Sequence, residues 1–113
     1  MNGAWAEDEA AARLAASVAS YALGVAVDEI VDQGRGSAAA AFARQVAMYL
    51  CHVAFELSLA RVALAFARDR STVAHACHVI EDRRDNEDFD GWIAALELML
   101  RDAPQPGLLA VAS

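Results

Sequence analysis

Leu57-Ser58-Leu59-Ala60-Arg61-Val62-Ala63-Leu64-Ala65-Phe66-Ala67-Arg68-Asp69-Arg70-Ser71-Thr72-Val73-Ala74-His75-Ala76-Cys77 is the stretch that decides the fold. Ser58 is a good N-cap, because its hydroxyl can accept from a free backbone N–H of a first helical turn. It opens a short helix, Leu59 to Phe66. A tight turn follows at Ala67-Arg68-Asp69-Arg70. A second helix then begins near Ser71-Thr72 and runs to about Asp82. Its buried stripe is Val73, Ala76, Cys77 and Ile80, spaced i, i+3, i+4 and i+7. A short helix, a tight turn and a second helix make the helix-turn-helix arrangement.

The pattern extends outward in both directions. Upstream, a long helix is expected over Ala38 to Glu56, with Val46, Leu50 and Val53 on one stripe. The loop before it, Gln33-Gly34-Arg35-Gly36-Ser37, is the clearest break in the chain. A short helical piece, Val27 to Asp32, and a first helix over residues 7–22 complete the amino-terminal half, with Gly24 placed to end the first helix. Downstream, a last helix over Asp88 to Arg101 buries Phe89, Trp92, Ile93 and Leu96. No strand pattern competes. The expected fold is all-α, a compact bundle of five or six helices. One domain spans residues 1–102, and a tail over 103–113 carries both prolines.

The 113 residues carry a formal net charge of −7, which argues against nucleic acid when taken as a sum. Its distribution says more. Residues 1–34 hold six acids and Arg13, and residues 85–113 hold six acids and Arg101. Between them, residues 35–84 hold seven arginines, four acids and all three histidines. The middle is basic and the flanks are acidic. Lysine is absent, which excludes a P-loop and other lysine chemistry. There is no nucleophile elbow and no His-Glu-x-x-His, so no catalytic residue is assigned and the chain does not read as an enzyme. Cys51, His52, His75, Cys77 and His78 match no standard zinc spacing, and neither a metal nor a cofactor is expected. Cys51 and Cys77 fall inside helical apolar patterns and read as reduced thiols. With no positively charged leader and no long apolar run, a cytoplasmic, nucleoid-associated protein with no membrane partner is expected.

Three blocks carry a resemblance. They are Ala43-Arg44-Gln45-Val46-Ala47-Met48-Tyr49-Leu50, then Leu57-Ser58-Leu59, then Ala65 through Cys77. Together they resemble the C-terminal DNA-binding domain (domain IV) of the bacterial replication initiator DnaA, which carries R-Q-x-A-M-x-L, S-L-x-x-I-[GA] and G-R-D-H-[ST]-T-V-x-H-A in that order. The likeness covers roughly residues 14–100 and is densest from Arg44 to Ile80. It implies a bacterial source, a stand-alone relative without the ATPase, and binding of double-stranded DNA linked to replication-origin recognition. By resemblance, Arg44 and Gln45 contact the DNA backbone and neighbouring bases, Ser58 and Leu59 abut the backbone, and Arg35 is what remains of a loop that reaches the minor groove.

A recognition helix presents the residues near its start to base edges. Here these are Asp69, Arg70, Ser71 and Thr72, with His75 one turn on. Arg70 has the reach for guanine O6 and N7. Two departures stand out. Arg70 replaces the family's histidine, and the Gly-Gly before Arg-Asp is shortened to Ala67. The alternative reading keeps the fold but makes the chain a protein-interaction regulator, with DnaA or an initiator-regulating ATPase as partner and weak or no DNA binding.

Overall fold

The computed structural model describes residues 3–32, 34 and 36–103. Arg35 and the segment 104–113 therefore lie outside the described residues. Six helices form among those described, and no strand. They are α1 (Gly3–Leu23), α2 (Val27–Val31), α3 (Ala38–Ala54), α4 (Leu59–Phe66), α5 (Arg70–Arg83) and α6 (Glu87–Asp102). The all-α expectation holds, at the upper of the two helix counts.

Caps set most of the boundaries. Ser37 Oγ accepts from Ala40 N at 3.0 Å, Ser58 Oγ from Arg61 N at 3.2 Å and Asn86 Oδ1 from Phe89 N at 2.9 Å. Each satisfies a backbone donor that the first turn of a helix leaves free. Gly24, with φ 69°, accommodates the left-handed turn after α1, and its N–H donates to Ser20 O. α3 is shorter than expected, because Phe55 and Glu56 leave the helix and Glu56 turns to a φ of 57°.

α3 is the central helix. Residues 46–51 are buried without interruption, so its middle is covered on every side. α1, α2, α4, α5 and α6 all pack against it. α1 meets it with an alanine stripe, Ala11, Ala12, Ala15, Ala16 and Ala19, all buried. Side chains this small let two helix axes approach closely. Around them lie the larger fully buried side chains Ile30, Met48, Leu50, Ile80, Ile93 and Leu100. Each contributes roughly 1.5–3 kcal/mol by leaving water. A bidentate pair, Arg61 Nε and Nη2 to Asp8 at 2.9 and 2.7 Å, ties α4 to the start of α1.

The far end of α5 is fixed by polar and aromatic contacts. Arg84 donates to Asp90 at 2.5 Å, to Tyr49 Oη at 2.9 Å and to Glu97, while Tyr49 donates to Glu81 at 2.7 Å. Burial disfavours the Arg84 charge, but the bonds to Asp90, Tyr49 and Glu97 outweigh it and raise its pKa. Phe42, Phe89 and Trp92 form a tilted row with centroids 6.5 and 5.5 Å apart. The Arg83 guanidinium sits 4.7 Å from the Phe42 ring centroid and 4.5 Å from that of Phe89. Phe89 and Trp92 are therefore half-buried packing residues.

Candidate nucleic-acid interface

The turn between α4 and α5 is built on one left-handed residue. Ala67 takes φ 54° and ψ 49°. Its N–H donates to Leu64 O at 3.2 Å, and Arg68 N donates to Ala63 O at 2.9 Å. This pair of bonds is the Schellman pattern that closes a helix at a left-handed residue. Asp69 is the N-cap of α5 by backbone geometry, yet its carboxylate makes no capping bond. Arg70, Ser71 and Thr72 form the first turn of α5, and all are exposed.

α3 and α5 frame a shallow groove of about 120 Å³ beside that turn. Among its walls are Arg44 and Gln45 from α3, Arg68 from the turn, and Thr72 and His75 from α5. The structure thus brings Arg44, Gln45, Thr72 and His75 together, with Asp69, Arg70 and Ser71 on the adjoining turn. Ser58 and Leu59 do not line this groove. They stand at the start of α4, about 12 Å along its axis from the turn. Ser58 is occupied as the α4 cap, and Leu59 packs partly against the core.

The arginines of the basic middle differ sharply in how they are used. Arg61 and Arg84 are paired with carboxylates, and Arg83 lies on two rings. Arg44 is only 8% exposed. Its Nε donates to Ile30 O at 2.8 Å and its Nη2 to Glu29 O at 3.2 Å. Burial lowers its pKa, the nearby Arg68 charge lowers it further, and Asp32 opposes both. Arg44 therefore differs from a solvated contact residue: its donors are turned to the carboxyl end of α2. Arg70 alone, among the described arginines of this block, makes no hydrogen bond, ion pair or ring contact with a described residue.

This sorting resolves the conflict between net charge and nucleic acid. Arg61 and Arg84 are neutralised locally by acids. Arg44 and Arg68 donate to carbonyls, which carry no net charge, so their positive field survives at the groove. With Arg70 they gather three arginines at the α3–α5 groove, with Asp69 on the same turn and Asp32 close to Arg44. Arg68 was absent from the sequence-derived contact residues. Its place in the shortened turn was the available signal, because a residue beside a left-handed cap is held in one direction.

The chain matches the family described as bacterial DnaA protein helix-turn-helix over residues 13–80, which is more than half of its length. Among solved structures it is similar to a crystal structure of a DNA replication initiation factor, with 28% sequence identity and a TM-score of 0.74. That match covers 85% of this chain and 30% of the other, so the chain spans under a third of the initiation factor's length. Among the described residues no helix is long and apolar enough to cross a membrane. The protein belongs to the bacterial DnaA helix-turn-helix family, a DNA-binding family tied to replication initiation.

Proposed function

We propose that this chain binds double-stranded DNA sequence-specifically, with α5 entering the major groove as the recognition helix, and that it acts on DnaA-box-type sites in control of replication initiation. One observation carries the reading: the first turn of α5 presents Arg70, Ser71 and Thr72 exposed and without side-chain partners among the described residues, directly beside a groove lined by Arg44 and Arg68. Helix N-termini favour phosphate, and residues at that position reach base edges. Arg70 reads guanine with two hydrogen bonds, and Gln45, Thr72 and His75 hold the adjoining backbone. Arg35 serves a neighbouring minor groove. The activities of a full-length initiator that need an ATPase are not assigned to this chain.

A mobility-shift titration tests this, using a DnaA-box duplex and a scrambled duplex at two salt concentrations. The expected result is preference for the box, with an affinity that falls only moderately with salt, because few free cations face the DNA. Failure of the folded protein to bind either duplex at low salt overturns the reading. The protein-partner role, towards DnaA or an ATPase that regulates it, then takes its place.

A further inference from the structure

Arg68 joins two segments far apart in sequence. It lies in the turn two residues before α5 begins, and its Nη2 donates to the carbonyl of Asp32, the C-cap of α2. The last carbonyls of a helix have no partner within it. At the end of α2, Glu29 and Ile30 are taken by Arg44 and Asp32 by Arg68. Gly36 stands close to Arg44: a Cβ added there would lie 3.1 Å from the Ala40 Cβ and 3.8 Å from Arg44 Nη2. The arrangement persists in spite of two penalties. The Arg68 and Arg44 charges repel, and Arg68 Nε is buried with no hydrogen-bond partner among the described residues. A buried donor left unmet is rare and calls for a reason.

We propose that Arg68 is a positioning residue for DNA reading. It locks the start of α5 to the carboxyl end of α2, so that Arg70, Ser71 and Thr72 meet a duplex at one fixed angle to α2. The inference rests on the DNA-binding reading above. It adds that specificity, more than affinity, depends on this tie. A guanidinium acting only as a phosphate contact would weaken all duplexes alike. A guanidinium acting through geometry changes the ratio between the right and the wrong site.

The test compares wild type with Arg68→Met in two assays. Amide hydrogen exchange in the free protein reads the tie itself. Exchange at the hydrogen-bonded amides of Glu29 and Ile30 in α2 and of Arg68, Thr72 and Val73 at the turn is expected to rise together by tenfold or more, with α6 unchanged. Binding to box and scrambled duplexes reads the consequence: the discrimination ratio falls at least tenfold, while affinity for the scrambled duplex changes less than threefold. An equal loss on both duplexes, or an unchanged ratio, overturns the proposal, as does unchanged exchange at Glu29 and Ile30. If Arg68→Met does not fold, Arg68→Lys keeps the charge and a donor. Smaller rises in exchange with partial loss of discrimination are then expected, and lost discrimination without any change in exchange overturns the tie. If wild type shows no site preference, the DNA-binding reading fails, and the exchange result alone decides whether Arg68 ties the two segments.

Discussion

The two ends of α5 carry arginines put to opposite uses. At its start Arg70 is exposed and touches no described partner. At its end Arg83 lies across Phe42 and Phe89, and Arg84 serves Asp90, Tyr49 and Glu97. One end is finished by the fold, and the other is left for something outside it. A helix anchored at its far end holds its near end still. Rigid placement of unsatisfied groups is what a reading head requires, because a partner then meets side chains that need little further ordering.

Exchanging which end is damaged is the strongest way to break this comparison. Arg84→Met removes the nearer of the two arginines on Glu97, which is only 8% exposed and keeps Arg101 at 3.4 Å, and leaves Tyr49 with its bond to Glu81 alone. A nearly buried carboxylate left with one half-exposed arginine is under-compensated, so about 1–3 kcal/mol of unfolding free energy is expected to be lost, read by urea denaturation. DNA affinity, measured well below the melting temperature, stays close to wild type. Arg70→Ala does the reverse. Stability moves by less than about 0.5 kcal/mol, and specific binding weakens by about 1–3 kcal/mol with relaxed preference at one base pair. If both variants lose stability, or both lose only binding, the two ends are not divided as described.

Alkaline pH probes the buried side of α3, against which α5 packs, without mutation. Burial pushes the Cys51 thiol from its ordinary 9.0 up to about 12, and burial with the Glu81 bond pushes the Tyr49 hydroxyl up to about 12. The folded protein holds both protons more tightly than the unfolded chain. This part of the stability is complete below pH 9 and drains away as pH rises toward 12. The thiol alone accounts for a loss of about 1.4 kcal/mol by pH 10. Thermal unfolding from pH 7 to 10.5 measures it, and Cys51→Ala flattens the upper part of the curve. A wild-type melting temperature that is level across that range contradicts the assignment.

Most of the helical frame was legible in the sequence, because apolar spacing and capping residues act locally. Leu59–Phe66 was bounded correctly by Ser58 before it and the turn after it. The first helix began earlier than expected, at Gly3 rather than residue 7, since Ala4 and Ala6 extend a helix without showing any stripe. At the interface, the exposed start of α5 could be anticipated from the helix-turn-helix pattern. The role of Arg44 could not. A buried arginine and a solvated one look alike in sequence, and only the unpaired carbonyls of α2, some 14 residues away, distinguish them. The same holds for Arg68. Its acceptor is a backbone carbonyl, a group every residue carries and no sequence pattern marks.

Ala67 carries the smallest of these effects and the finest test of how the start of α5 is aimed. At φ 54° an alanine Cβ crowds the following backbone, which glycine avoids. Ala67→Gly relieves that strain, but it also loosens the unfolded chain. The balance is an expected gain of about 0.5–1 kcal/mol, read by urea denaturation. Aim and stability can then be separated. If Ala67 serves only to close α4, the variant is more stable and discriminates between duplexes as before. If the stiffer residue also holds Arg68 on Asp32, Ala67→Gly becomes more stable while its site preference falls and exchange at Glu29 and Ile30 rises. The second pattern would place the shortened turn itself, and not only the side chains it carries, among the determinants of which sequence is read.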